Sequence, residues 1–221
     1  MSISKLSVFA PAKVNLHLAV LDRREDGFHN LESLFLAVDF GDTLHFEPIE
    51  GKNAFEISME GQNSAIPPEK NIIFNALSLF REKTAFSQGI NIHVEKRIPL
   101  GGGLGGGSSN AAVTLLALNK LTGAPLARNT LLDMAAALGS DVPFFVSEIP
   151  AAWVTGRGEH ITPVEAPRVS LVLVNPGFSS NTAEAFRLLA EARSRKNCTR
   201  HWKRKFNHGG HRVTQIENLE L

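Results

Sequence analysis

The stretch PLGGGLGGGSSNAA, residues 99–112, contains residue types that can bind an anion through backbone N–H groups. Its six glycines stand in two triplets, and glycine lacks the side chain that would keep a ligand away from the backbone. Ser108, Ser109 and Asn110 follow, where an apolar pattern typical of a helix begins. The first N–H groups of a helix have no partner within it, and the helix dipole is positive there. The pattern predicts a cradle for a phosphate group.

A flexible linker and a dinucleotide-binding turn are the alternatives for this stretch. A linker joins polar, loosely packed segments, whereas this stretch leads from a predicted strand into an apolar helix. Gly101, Gly103 and Gly106 satisfy the spacing G-x-G-x-x-G, but a dinucleotide site needs a second parallel strand after the helix. A second helical pattern follows instead, so the sequence favours the phosphate cradle. The stretch lacks the Gly-Lys-Ser/Thr ending of a Walker loop, so another segment must supply the positive charge.

The elements that position this loop are predicted from apolar periodicity. Alternation with period two predicts strands at 14–20, 34–46 with a break near Gly41, 55–60, 90–94, 151–155 and 170–174. Helical spacing predicts a helix that begins at Asn71, a second helix at 110–121 and a third at 131–138, which Thr130 caps. It also predicts a short element after Asp141 and a last helix that ends near residue 192. Strands and helices interleave without regular alternation, which predicts an α+β fold.

Composition narrows the classes of function. The chain has 221 residues, of which 43% are apolar, a formal net charge of +1 and a single cysteine. These values predict a globular protein from a reducing, cytoplasmic environment, without a disulfide, a signal peptide or a membrane partner. Eight lysines and arginines lie between Arg193 and Arg212 without an acidic residue, and Trp202 and Phe206 lie among them. We expect no nucleic-acid partner, and an RNA-binding arm is the alternative for this basic tail.

Two further segments, PAKVNLHLAVLDRREDGFHNLESLF (11–35) and LGSDVPFF (138–145), join the glycine loop in a family pattern. Together the three segments resemble the GHMP kinase superfamily, and most closely its branch that phosphorylates the 2-hydroxyl of 4-diphosphocytidyl-2-C-methyl-D-erythritol in isoprenoid precursor biosynthesis. The resemblance implies an N-terminal domain like ribosomal protein S5 domain 2, here residues 1–165, which binds ATP and substrate. It also implies a ferredoxin-like C-terminal domain, incomplete here, over residues 166–221.

The resemblance implies a catalytic pair. Asp141 is expected to act as the general base on the substrate hydroxyl, and Lys13 is expected to be its cationic partner. Asn15 lies two residues beyond Lys13 on the same strand, so we expect it on the same face and at the substrate. ATP is the expected phosphoryl donor, and Mg²⁺ is expected to arrive with it, held chiefly by phosphates and water. The alternatives from the residues alone are a helix N-cap for Asp141 and a solvated side chain for Lys13.

The remaining expected contacts also follow from the resemblance. Phe28 and His29 are expected to hold the cytidine diphosphate substrate, with Phe178 as a second aromatic face; the family commonly has tyrosine at the position of Phe28. The expected nucleotide-binding residues are Asn71, Lys96, Pro99, Leu100, Gly101, Gly102, Gly103, Leu104, Gly105, Gly106, Gly107, Ser108, Ser109 and Asn110.

The chain departs from the family pattern after about residue 195. The superfamily carries a third, glycine-rich motif near its C-terminus, and the stretch HGGH at 208–211 does not replace it. We therefore expect a C-terminally truncated or divergent member, as a monomer or homodimer. Two alternatives stay open at this point: a chain that binds nucleotide without turnover, and a kinase of another small alcohol.

Overall fold

The computed structural model describes residues 4–25, 27, 29–60, 71–175, 177 and 188. Apart from Leu188, these residues belong to one compact unit that spans Met1–Ser179. The cytidine contacts expected at Phe28 and Phe178, the helix expected after Asn181 and the basic tail lie outside the described residues.

A mixed six-stranded sheet is built around one long strand. The strands are β1 (Leu6–Arg23), β2 (His29–Ile49), β3 (Phe55–Glu60), β4 (Gly89–Glu95), β5 (Ala151–Gly156) and β6 (His160–Pro163). β2 pairs antiparallel with β1, with β4 through 43–49 and with β5 through 31–36. β3 is parallel to β4, and β6 is antiparallel to β5. β2 therefore pairs with three strands and connects β1, β4 and β5 within one sheet.

Four helices complete the described fold: α1 (Ile72–Thr84), α2 (Gly106–Leu121), α3 (Arg128–Leu138) and α4 (Val142–Val146). α2 packs against β1, β2 and each of the other three helices. Most of α2 is buried, as expected of a helix whose sequence is apolar nearly all round. The core residues Leu44, Phe46, Ile92 and Val94 are fully buried, whereas His45 and His93 on the opposite face of the same strands are partly exposed. One face of this part of the sheet therefore carries the core.

The structure corrects the predicted boundaries in three places. β2 runs through Gly41 without a break; the register shifts from Pro11–Gly41 to Ala12–Val38, and two β2 residues bulge out between these pairs. α2 begins at Gly106 rather than Asn110, because Gly105 takes a left-handed conformation and serves as the N-cap. α3 begins at Arg128, so the predicted cap, Thr130, lies inside the helix.

The predicted strand at 170–174 is wrong, and the short strand β6 was not predicted. No strand is assigned at 170–174, where Val172 is 90% exposed and Val174 is 84% exposed. Alternating or apolar sequence favours an extended chain, but a strand also needs a neighbour with which to pair. β6 pairs with β5 and therefore forms a strand. It was not predicted because four residues are too few to show a clear alternation.

None of the helices in the described ranges combines the length and the apolar character that a membrane span requires.

Candidate active site

The glycine loop between β4 and α2 is held in a conformation that depends on glycine. Gly103 and Gly105 have φ angles of 70° and 71°, in the left-handed region that favours glycine. A Cβ atom on Gly105 would lie 3.0 Å from Cγ of Lys13 and 3.1 Å from the ring of Phe145, whereas a Cβ on Gly103 would meet nothing within 4 Å. Gly105 therefore allows a close approach between the loop and Lys13, and Gly103 faces open space.

A backbone hydrogen bond fastens the loop to the sheet. The N–H group of Lys13 on β1 donates to the carbonyl oxygen of Leu104 at 2.9 Å. Leu104 separates the two glycine triplets, so the bond holds the middle of the loop beside Lys13. The sequence pattern gave no signal for this contact, because a strand-to-loop bond depends on the tertiary arrangement.

The first turn of α2 carries two buried polar atoms without a partner. Ser109 is fully buried and Asn110 is 2% exposed. The Oγ atom of Ser109 and the Oδ1 atom of Asn110 make no hydrogen bond to any described residue. Leaving such a group unpaired costs about 1–3 kcal/mol, so a site of this kind fits a ligand that supplies the missing partners. Together with the free N–H groups of the helix start, these atoms fit a phosphate group and its counterion.

Lys13 and Asp141 form the charged centre beside this loop. The Nζ atom of Lys13 lies 3.6 Å from Oδ2 of Asp141, and their side chains are 7% and 27% exposed. Nζ also donates to Oδ1 of Asn15 at 2.7 Å and lies 4.7 Å from the ring centroid of Phe35. A buried ammonium group requires such partners, because water no longer solvates it. The prediction that Lys13 and Asn15 share one face is confirmed by their hydrogen bond.

Asp141 occupies the N-cap position of α4, but its side chain makes no capping hydrogen bond. Asp141 therefore stands where a capping residue stands, but its carboxylate does not cap the helix. All five residues of α4 are buried, which anchors the helix that begins directly after Asp141. The carboxylate is thereby presented to Lys13 from a fixed backbone and stays partly open to solvent.

The two outlying nucleotide predictions, Asn71 and Lys96, have partners inside the protein. Asn71 caps α1, since its Oδ1 accepts from the N–H of Ile73 at 3.0 Å. The side chain of Lys96 is 2% exposed, and its Nζ donates to Oδ2 of Asp42 at 2.6 Å and to the carbonyl oxygen of Ile98 at 2.7 Å. A contact of either side chain with the nucleotide stays a prediction.

Sequence reasoning missed Asp42 and Ser33. Asp42 is fully buried and, besides Lys96, accepts the N–H groups of Arg97 and Ile98, both at 2.8 Å, which fixes the chain just before the glycine loop. Ser33 is 1% exposed and accepts from Nδ2 of Asn15 at 2.7 Å. The only signal for either residue was a polar type within an apolar strand. His29 lies at the start of β2 and is half-buried.

Comparison with known proteins agrees with this arrangement. Residues 71–148, which include α1, the glycine loop and Asp141, match the GHMP kinases N terminal domain. A solved structure described as 4-(cytidine 5'-diphospho)-2C-methyl-D-erythritol kinase is 40% identical, with a TM-score of 0.69 over 82% of this chain and 63% of that one. A mevalonate kinase from Methanococcus jannaschii, 12% identical with a TM-score of 0.56, shares the fold alone. The similarity to GHMP kinases therefore covers the glycine loop and Asp141.

Several curated relatives carry the name of one kinase. The 4-diphosphocytidyl-2-C-methyl-D-erythritol kinase of Nitrosospira multiformis is 44% identical over 186 residues, which are 84% of this chain and 62% of the relative. The chloroplastic kinase of the same name from Arabidopsis thaliana is 40% identical over 193 residues, which are 85% of this chain and 49% of the relative. The chain therefore spans about half the length of the plant relative and less than two thirds of the bacterial one.

Proposed function

We propose that this chain binds ATP at the glycine loop and transfers the γ-phosphoryl group to the 2-hydroxyl of 4-diphosphocytidyl-2-C-methyl-D-erythritol. The observation that carries the proposal is the pair formed by Nζ of Lys13 and Oδ2 of Asp141, which lie 3.6 Å apart. The pair lies beside the glycine loop, which a backbone hydrogen bond from Lys13 to Leu104 holds in place. The family match supports the reaction class, and the names of the relatives support the substrate.

Asp141 takes the part of general base. A carboxylate oxygen accepts the proton of the substrate hydroxyl as the oxygen attacks the γ-phosphorus atom, and ADP leaves with the bridging oxygen. General-base assistance is typically worth about 10² to 10⁴ in rate. The position of Asp141 supports this role, because its carboxylate is not used for capping and is partly open to solvent.

Lys13 takes the part of electrostatic partner. Its ammonium group lies next to the carboxylate and to the loop, where it can stabilise the negative charge that develops on the phosphoryl oxygens. It also supplies the cation that the glycine loop lacks, since the loop has no lysine of its own. Burial strengthens this effect, because few water molecules screen the charge.

The nucleotide phosphates are assigned to residues 99–110 and the first turn of α2. Ser109 and Asn110 offer hard oxygen atoms without a partner, which also suit Mg²⁺. Bound Mg²⁺ would neutralise phosphate charge. Among the described residues there is no group of three or more His, Cys, Asp or Glu side chains that could hold a metal ion. For the cytidine moiety, the contacts of Phe28, His29 and Phe178 stay predictions.

The test is ADP release in a coupled assay with Mg-ATP and a series of alcohols. The series contains the cytidyl diphosphate substrate, its cytidine-free methylerythritol phosphate, homoserine and mevalonate. We expect release with the first alone, and a loss of at least about a hundredfold in Asp141→Asn. Asp133→Asn is the matched control, because Asp133 is an exposed carboxylate on α3, outside the site. Release with another alcohol alone would overturn the substrate, and unchanged release in Asp141→Asn would overturn the mechanism.

A second candidate is a chain that binds nucleotide without turnover. The unpartnered oxygen atoms of Ser109 and Asn110 favour it, because they offer contacts to a bound nucleotide that do not depend on turnover. ATP binding by calorimetry without ADP release from any alcohol would support this candidate over the first.

A further inference from the structure

We propose that Ser33 is a positioning residue for Lys13 and acts through the side chain of Asn15. The proposal rests on the proposed function, because it assigns Lys13 to the reaction. Ser33 lies on the central strand β2, opposite Leu18 of β1 on one side and Val154 of β5 on the other. It is 1% exposed, although serine is usually a surface residue.

A bulge in β1 brings Asn15 to Ser33. The register passes from Asn15–Phe35 to His17–Leu34, so Leu16 has no partner residue on β2. Lys13, Asn15 and Ser33 lie on one face of the sheet, because their register positions differ by even numbers along β2. Asn15 and Ser33 are diagonal neighbours on that face, a separation that a hydrogen bond between short polar side chains can span.

The hydrogen bonds have a direction that the chemistry of the groups dictates. The carbonyl oxygen of His17 can only accept, so the hydroxyl of Ser33 donates to it, at 2.6 Å. The oxygen of Ser33 then accepts from the amide Nδ2 of Asn15, at 2.7 Å. The amide oxygen of Asn15 is left to accept from Nζ of Lys13, also at 2.7 Å. The hydrogen bonds thus connect the carbonyl group of His17, the hydroxyl of Ser33 and the amide of Asn15 to the ammonium group of Lys13.

The consequence concerns which side of the Asn15 amide faces Lys13. With the hydroxyl in place, the amide oxygen faces the ammonium group, which is the favourable orientation. Without it, the Asn15 NH₂ group loses its acceptor, and a rotated amide would place donors against the positive charge. Lys13 would then lose one of its partners and its defined position 3.6 Å from Asp141. Because the chain ends at Lys13, we expect the loss in turnover and not in the binding of ATP.

The kinetic test compares Ser33→Ala with Ser33→Thr, which retains the hydroxyl. We expect kcat to fall about tenfold or more in Ser33→Ala, as for loss of a hydrogen bond to a charged group, with KM for ATP unchanged and partial rescue in Ser33→Thr. In a double-mutant cycle, Ser33→Ala should add little to Asn15→Ala, because both remove the same link. Thr122→Val is the control, since Thr122 donates its hydroxyl to a backbone carbonyl of α2 away from this network. Wild-type kcat in Ser33→Ala, or additive losses in the cycle, would overturn the proposal.

A second readout does not depend on turnover. The side-chain NH₂ group of Asn15 should exchange slowly in nuclear magnetic resonance spectra of the wild type and rapidly in Ser33→Ala, with its signals assigned by their loss in Asn15→Leu. If the wild type releases no ADP, the proposed function fails, and this exchange still decides the role of Ser33. Should Ser33→Ala not fold, Ser33→Cys keeps the size with a weaker hydrogen-bonding group. Unchanged Asn15 exchange in the variant that folds would overturn the proposal.

Discussion

At the scale of single residues, the site is defined by which buried polar groups have partners and which do not. Lys13, Asn15 and Ser33 satisfy one another, whereas the oxygen atoms of Ser109 and Asn110 have no hydrogen-bond partner among the described residues. A satisfied group stabilises the fold, and an unsatisfied one destabilises it until a ligand arrives. This contrast separates residues that hold the site together from residues that we propose to bind phosphate.

Ser109→Ala tests that contrast. Removal of a buried hydroxyl without a partner should leave the melting temperature of the free protein unchanged or raise it, while ATP affinity falls about tenfold, as for one lost hydrogen bond to a charged group. Differential scanning calorimetry and titration calorimetry measure the two effects.

Thr114→Val is the matched control for this change. Thr114 is equally buried on α2, but its hydroxyl donates to the carbonyl oxygen of Asn110 at 2.7 Å. Its loss should lower the melting temperature. A destabilised Ser109→Ala with unchanged ATP affinity would show that the Ser109 hydroxyl serves the fold.

The sequence predicted the residues of the centre better than their connections. Period-two alternation placed Lys13 and Asn15 on one face, and that prediction holds because the bulge lies beyond Asn15, at Leu16. Ser33 and Asp42 were not predicted, since their roles depend on the register between distant segments. One residue of register changes the face of every side chain beyond it, and local sequence does not encode that choice.

At the scale of elements, the glycine loop joins β4 to α2 and is fastened to β1. Its backbone is bonded to Lys13, and Gly105 caps the helix in a left-handed conformation. The predicted helix start at Asn110 was four residues late, because a glycine triplet has no apolar side chains from which a helical spacing can be recognised. Tertiary contacts, and not helix propensity, begin α2.

A matched pair of glycine substitutions tests the element. Gly103 and Gly105 have nearly the same φ angle, in the left-handed region. Substitution of either by alanine should therefore lower the free energy of unfolding by about 1–2 kcal/mol. Only Gly105→Ala adds a methyl group 3.0 Å from Lys13 Cγ, so it should also lower kcat about tenfold or more, because Lys13 is displaced from Asp141. Chemical denaturation and ADP release measure these effects, and equal kcat values in the two variants would contradict the account.

A pH-dependent contribution belongs to the turn between β5 and β6. The pKa of Glu159 lies below its ordinary value: partial burial acts to raise it, but hydrogen bonds from the N–H groups of Glu159 and Arg157 and the nearby positive charges outweigh that effect. A lowered pKa means that the carboxylate stabilises the fold above its ordinary pKa and loses this effect as pH falls through the lowered value.

Glu159→Gln should therefore reduce stability at pH 7 by about 0.5–1 kcal/mol, a modest amount because the side chain is partly exposed. The difference from the wild type should vanish in strongly acidic solution. Urea denaturation across the pH range measures it, and a difference that grows on acidification would contradict the assigned sign.

At the scale of the whole molecule, the described unit is a sheet with its helices packed around α2, followed by an apolar segment at 169–174 in which no strand is present. The similarity to GHMP kinases and the α+β class were predictable, because three motifs spread over residues 11–145 all belong to one pattern. The state of residues 170–174 was not, since strand formation depends on a neighbour that local sequence does not reveal.

Val172→Lys tests the exposed segment. Because Val172 is 90% exposed, a charge there should leave the melting temperature within about 1 °C while it reduces self-association at high protein concentration. Light scattering and scanning calorimetry measure the two quantities. A large fall in melting temperature would mean that Val172 is packed against the protein in solution.

We propose that Lys13 and Asp141 form a phosphoryl-transfer centre beside the glycine loop. The most direct measurement follows a radiolabelled γ-phosphate from ATP into 4-diphosphocytidyl-2-C-methyl-D-erythritol, with wild type and Asp141→Asn compared at saturating ATP. The account predicts labelled product from the wild type and at least about a hundredfold less from Asp141→Asn, with ATP affinity within about twofold in both. Labelled product formed at the same rate by both proteins would contradict it.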